Sequence, residues 1–211
     1  MLGPFADPRL AGVADVSVRP ARPADAERIA RVQLSTWRTA YADLLPTSAL
    51  DTPEVRAAAL WLGAVESPPT PGHRVLVAFE RDELVGFLAY GPADEVPGGV
   101  EVPGGVEVPV GVEAPGGVEV TALLVEPRWG RRGHGSRLVA AAVEDWRRDG
   151  TAVAVCWAWE RDPATRAFLT AGGWEPDGAR RGLDTGESVP QQLRFHTDVR
   201  ETAPPAGSLA P

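Results

Sequence analysis

Six consecutive residues, Arg131, Arg132, Gly133, His134, Gly135 and Ser136, combine the residue types that a phosphate requires. They follow a strand-like run over residues 118–126. They open onto a segment in which Leu138, Val139, Ala142, Val143 and Trp146 recur at helical spacing. Glycine removes the Cβ that would hold an anion away from the backbone. The first N–H groups of a helix have no partner within it, and the helix dipole adds about half a positive charge at that end. Arg131 and Arg132 add full charges. Strand, basic glycine loop and helix therefore make an anion cradle, and the expected ligand carries a phosphate. A nucleotide P-loop would need Gly-Lys-Ser/Thr, and the chain has no lysine. A dinucleotide fingerprint would need a third glycine where Leu138 stands.

The elements that must hold this loop are read from periodicity. Residues 16–21 alternate like a short strand. Pro23, Ala24 and Asp25 begin a helix with Ile29, Val32, Gln33 and Trp37 on one face, continued by Tyr41 into a bend at Leu45 and Pro46. A second helix is predicted over 53–65, with Val55, Ala59, Leu60 and Leu62 as its apolar side. Residues 74–80 and 84–91 are two β-branched and aromatic runs joined by a short polar turn, the mark of a hairpin. Residues 151–159 form a continuous apolar run of buried-strand length. Asp162 and Pro163 open a helix that runs to Ala171 and is closed by Gly172 and Gly173, and residues 193–199 give a last strand.

Residues 96–119 repeat with a period of six: VPGGVE, VPGGVE, VPVGVE, APGGVE. Hexapeptide periodicity invites a β-helix, but four hexads make little more than one coil and each carries a Pro-Gly turn. The composition predicts instead a mobile, turn-rich insertion at 95–118 in a surface hairpin, dispensable for folding. Residues 1–15 and 200–211 read as disordered tails around one domain over 16–199.

Composition narrows the function classes. A net charge of −8 argues against nucleic-acid binding and mildly favours a cationic partner. All basic residues but histidine are arginine, which looks like the codon bias of a GC-rich genome and not like function. No apolar run approaches the length that spans a bilayer, and the N-terminus lacks the basic start and apolar core of a signal peptide, so the expected location is the cytoplasm. The single cysteine, Cys156, sits in the apolar run and reads as a packed residue. His73, His134 and His196 show no ligand spacing, so no metal is expected.

On these residues the chain resembles the GNAT N-acetyltransferase superfamily. The signature of that family is Arg/Gln-x-x-Gly-x-Gly/Ala after a strand ending Leu-x-Val-x-Pro. Here the strand ends Leu123, Leu124, Val125, Glu126, Pro127, and Gly133 and Gly135 take the two glycine positions. Residues 35–46 (STWRTAYADLLP) and 162–178 (DPATRAFLTAGGWEPDG) extend the likeness, which covers 16–199 in element order. Gly130 departs from the Arg/Gln position, with Arg131 one place along. The resemblance implies an α/β fold of the α+β mixed-sheet kind, a central mixed sheet flanked by helices. It implies acetyl-CoA as co-substrate, without metal, and transfer of acetyl to a primary amine of a small molecule or peptide by direct attack. The backbone of Leu123 and Val125 would pair with the pantetheine arm where two strands splay. The N–H groups of Arg131, Arg132, Gly133, His134, Gly135 and Ser136 would hold the pyrophosphate. An N–H near Val125 would polarise the thioester carbonyl, a contribution of roughly 3 kcal/mol in other acyl-transfer sites.

The resemblance also suggests catalytic residues. Glu119 matches a position where relatives often carry a carboxylate and is the first base candidate, though it also closes the repeat. Glu126 is a weaker second, with a solvated turn as its alternative role, and His134 lies between the glycines, where it can simply cover the loop. The family's usual acid is a Tyr after the Phe of the late motif, but Phe168 is followed by Leu169, and Asp162 replaces the common Asn. A free thiol of pKa about 8.5 leaves the thiolate only about 2 kcal/mol uphill of protonation at neutral pH, so water can serve. Tyr41 and Tyr90 are the remaining tyrosines: Tyr41 is the acid candidate or an acceptor-side residue, and Tyr90 reads as packing. Leu169 and Gly130 keep a second class open, a non-catalytic acyl-CoA-binding sensor or scaffold. A third makes the repeat an interaction segment carried on the domain. Acceptor, acyl-chain preference and oligomeric state, a homodimer included, are not legible.

Overall fold

The computed structural model describes residues 15–95, 97, 101–102, 106–107, 116–186 and 188–200. Along the chain these form β1 (Val16–Pro20), α1 (Ala26–Ala40), α2 (Thr47–Leu50), α3 (Glu54–Glu66), β2 (Arg74–Glu80), β3 (Glu83–Pro92), β4 (Glu101–Val102), β5 (Val106–Glu107) and β6 (Gly117–Val125). There follow α4 (His134–Arg148), β7 (Val153–Trp159), α5 (Pro163–Ala171), β8 (Glu175–Gly182) and β9 (Gln191–Asp198). Seven strands make one mixed sheet in the order β1-β2-β3-β6-β7-β9-β8. Only β6 and β7 run parallel, joined through α4; the other neighbours are antiparallel. This is the mixed sheet flanked by helices that the resemblance implied.

Strand alternation sends successive side chains to opposite faces, and each face is covered by its own helices. Leu76, Ala78, Val85, Leu88, Val118 and Val120 pack with Leu138, Ala142 and Trp146 of α4. Val77, Phe79, Leu84, Phe87 and Leu124 pack with Ile29 and Val32 of α1. The register shifts between Ala78 and Phe79 in β2 and between Ala89 and Tyr90 in β3, where Thr121 of β6 is the extra residue. Such a bulge bends a strand and re-aims its side chains.

The decisive feature is a splay. β6 pairs with β7 only from Gly117 to Val120, against Val153 to Cys156. Beyond the bulge, Ala122 to Val125 stay paired with β3 while Trp157 to Trp159 stay paired with β9. The sheet opens into a V between them, and one edge of each strand is left without a β partner.

Three elements differ from expectation. On α3 the predicted apolar side is wrong: Val55 and Leu60 are 78% and 68% exposed. The buried face is Ala57 and Ala58, joined by Trp61, against Ala30 and Leu34 of α1. Small residues let two helices approach closely, and that gain outweighs the bulk of the aliphatic residues. The edge strand β8 was not foreseen, because EPDGARRG has neither apolar alternation nor β-branched residues and forms through its ladder with β9. The short α2, which follows the predicted bend at Leu45 and Pro46, was not foreseen. Of the predicted insertion at 95–118, two short antiparallel strands, β4 and β5, are seen, and its last two residues, Gly117 and Val118, already belong to β6; apart from these and Glu95, Pro97 and Gly116, it lies outside the described residues, as do both predicted tails apart from Asp15 and Arg200.

Candidate functional site

At the end of β6 the chain passes through a 3-10 turn, Pro127–Trp129, into the loop that begins α4. Arg131 has φ 62°, and Gly133, the N-cap, has φ 81°. These left-handed residues turn the loop back on itself, and no side chain caps the helix. Its first N–H groups are therefore open to an outside acceptor. A Cβ on Gly135 would meet the Phe168 ring at 3.3 Å, so any larger residue there closes the space beside the loop.

That space is a chamber of about 460 Å³ lined by Leu123, Val125, Arg131, Gly133, His134, Gly135 and Ser136 among others. Seven of the eight predicted cofactor-binding residues thus meet around one cavity. Arg132 does not line it. Its guanidinium pairs with Glu80 at 3.0 Å and lies over the Trp129 ring at 4.8 Å, on the outer side of the loop. His134 is fully buried, with Nε2 2.9 Å from the other oxygen of Glu80 and Nδ1 without a hydrogen-bond partner. Glu80 of β2 thereby fastens the loop from behind through two of its residues, and Arg137 adds a bond from Nη1 to the carbonyl of Arg132 at 2.9 Å.

A second chamber, of about 310 Å³, lies along the splay towards α1 and α3, lined by Trp37, Tyr41, Trp61, Trp157 and Trp159 among others. The two chambers share five residues: Tyr41, Leu123, Leu124, Asp162 and Thr165. At this junction Asp162 caps α5, accepting from the Thr165 N–H at 3.0 Å and the Thr165 hydroxyl at 2.6 Å. The Tyr41 hydroxyl donates to the same carboxylate at 3.1 Å. Burial, with the nearby Asp162 charge, holds the Tyr41 phenol well above its usual pKa, so it keeps its proton at neutral pH.

Glu119 lines neither chamber. It sits beside Trp157 and 3.7 Å from Arg181. Burial pushes its carboxyl above the ordinary range, partly offset by Arg181. Glu126 pairs with Arg128 at 2.9 Å outside the chambers. Tyr90 is buried in the α4-side core and donates to Asp145 at 3.0 Å. Leu169 is buried in the same core. Cys156 borders the second chamber, and burial pushes its thiol up to about 12, so it carries no thiolate. No group of three or more metal-ligating side chains occurs among the described residues, and none of their helices is long and apolar enough to cross a membrane.

Sequence reading missed the position of Asp162. Its place before Pro163 marked a helix start, and the substitution of Asn by Asp was noted, but nothing local could tell that this cap stands where two cavities meet.

Residues 34–182 match the family described as Acetyltransferase (GNAT) family. Solved structures with the same fold include the PaiA N-acetyltransferase from Thermoplasma acidophilum in complex with coenzyme A: 15% identity, 87% of this chain, 98% of that chain, TM-score 0.62. YncA from Salmonella typhimurium with its cofactor acetyl-CoA gives 17% identity, 92% and 99% coverage and TM-score 0.62. An N-acetyltransferase from Staphylococcus aureus Mu50 gives 11% identity, 89% and 100% coverage and TM-score 0.64. No curated protein sequence matches the chain.

Proposed function

The chain belongs to the GNAT acetyltransferase family, and from that premise we propose that it transfers acetyl from acetyl-CoA to a primary amine of a small molecule or peptide. The observation that carries this reading is the splay between β6 and β7, which brings a phosphate-type cradle and a separate aromatic chamber to one junction.

In this reading the pyrophosphate lies on the backbone N–H groups of residues 131–136, with the Arg131 charge beside it. The Arg132 side chain contributes indirectly, by clamping the loop to Glu80. The pantetheine arm takes the place of the missing strand along Leu123 to Val125, where unpaired backbone groups face the V. The thioester then reaches the junction. Its carbonyl oxygen accepts from a backbone N–H near Val125, which stabilises the oxyanion as it forms. The amine nitrogen attacks the carbonyl carbon directly; the C–S bond breaks, and CoA leaves as a thiolate.

Three proton transfers accompany the step, two off the nitrogen and one onto the sulfur. Before it attacks, the ammonium loses one to Glu119 through water, since that carboxylate lines neither chamber. The raised pKa of Glu119 makes it a better base near neutral pH than an ordinary carboxylate. The thiolate takes one from Tyr41, which borders both chambers and stays protonated, and the second proton of the nitrogen restores the Tyr41 phenol through water as the amide forms. Tyr41 would thus stand in for the tyrosine that Leu169 replaces.

The test is thiol release from acetyl-CoA against a panel of amines, repeated with longer acyl-CoAs. Amine-dependent release is the expected result. CoA binding with micromolar affinity and no release with any amine across pH 6–9 would favour the second reading, a non-catalytic acyl-CoA-binding domain, which the substitution of Leu169 supports.

A further inference from the structure

The walls of the second chamber are strongly one-sided. Five aromatic side chains, Trp37, Tyr41, Trp61, Trp157 and Trp159, line it, and its one charged lining residue is Asp162, at the end that meets the cofactor chamber. Its volume, about 310 Å³, suits a single ring with a short arm.

The walls are also fixed. The Trp61 indole donates to Gln33 at 2.7 Å and meets the Phe87 ring edge-on at 4.8 Å. The Arg181 guanidinium lies 4.3 Å from the Trp157 ring centre, with Glu119 beside the same ring. Arg194 also lies over that ring, at 5.6 Å from its centre, and both arginines are engaged with other groups. Arg181 bonds Gln192 at 2.7 Å and faces Glu119, while Arg194 bonds Asp177 at 2.6 Å. Neither lines the chamber. A carboxylate entering it would exchange water for indole faces and neutral amides, beside Asp162 and with Glu119 behind the wall. A desolvated anion without a cationic partner is strongly disfavoured there. An ammonium meets the opposite conditions, since aromatic faces and a carboxylate both attract it.

Building on the acetyl-transfer reading, we propose that the acceptor is an arylalkylamine: a primary ammonium on an aromatic body, without a carboxylate. The ring enters between the tryptophans, and the nitrogen points to Asp162 and the junction, where the thioester carbonyl would lie. Asp162 orients the ammonium; Glu119 remains the base.

Three acceptors that differ mainly at one position test this: 2-phenylethylamine, phenylalanine and phenylalaninamide. With acetyl-CoA, kcat/KM for 2-phenylethylamine should exceed that for phenylalanine about a hundredfold, and phenylalaninamide, which keeps the bulk but loses the charge, should recover most of the difference. Tryptophan fluorescence of the CoA-loaded protein reads binding independently of turnover, and should show 2-phenylethylamine binding at least about tenfold tighter than phenylalanine. Binding in that order without transfer would uphold the chamber's preference and remove the acetyl-transfer reading. Transfer to both amines alike would keep acetyl transfer and overturn the preference, as would a phenylalaninamide as poor as phenylalanine. Leu45 lies half-buried on the chamber lining, and Leu45→Arg should shift the ratio towards phenylalanine by about tenfold. An unchanged ratio in a folded variant would count against charge as the selector.

Discussion

The loop at the head of α4 and the aromatic chamber across the junction are built by different means, and in the proposed reading each binds one substrate. The loop would bind through backbone. Within a few consecutive residues it sets two left-handed conformations, an uncapped helix start and a glycine that leaves room beside Phe168. The chamber would bind through side chains supplied by α1, α3, β7 and the segment before α5, residues far apart in sequence. A backbone site tolerates drift in its surroundings but not a Cβ in the wrong place. A side-chain site tolerates loop changes but alters its selectivity with single substitutions.

That contrast is broken most sharply at Gly135. Gly135→Trp should fill the space beside Phe168 and reduce CoA binding below detection by calorimetry, with the circular dichroism spectrum retained; unchanged affinity would refute the cradle. Tyr41→Phe separates the two regions. It should lower kcat about a hundredfold through the lost proton donor while the dissociation constant for CoA stays as it was, and an unchanged kcat would leave Tyr41 a wall residue only. Glu119→Gln acts on the chamber side alone, with a smaller loss of about tenfold at neutral pH. Its diagnostic is the pH profile. Burial raises the Glu119 pKa, so the proton-accepting carboxylate accumulates only above the ordinary carboxylate range. The kcat/KM of the wild type should therefore climb with pH through that raised value, and the variant should lack that limb. The smallest effect is expected from deleting residues 96–113: CoA affinity and thermal midpoint should hold, and a lost fold would show that the repeat belongs to the framework.

The two regions also differ in how far they were legible. The loop could be read because its residue types stand consecutively in the chain, and all but Arg132 line the cavity. That exception arises from Glu80 on β2, a partner fifty-two positions away that draws the guanidinium outward. For the chamber, the sequence placed Trp37 and Tyr41 on one helical face, Tyr41 as acid or acceptor-side residue, without deciding between pocket and core. They turn out to be both, since each packs on the α1-side core while bordering the cavity. The aliphatic stripe on α3 misled because it marks a face that the fold leaves in solvent, and β8 escaped notice because an edge strand is held by its neighbour's ladder more than by its own composition.

What the sequence determined by itself was the order of elements, the strand-loop-helix cradle and the family likeness, because periodicity, glycine conformation and helix-end electrostatics act over short stretches of chain. Tertiary structure alone decided the rest. It chose which face of α3 is buried, opened β6 from β7 beyond Thr121, turned Arg132 to Glu80, set Glu119 beside Trp157, and brought Asp162 to the meeting of two cavities. Each of these depends on which distant surface an element packs against, and no local pattern records that.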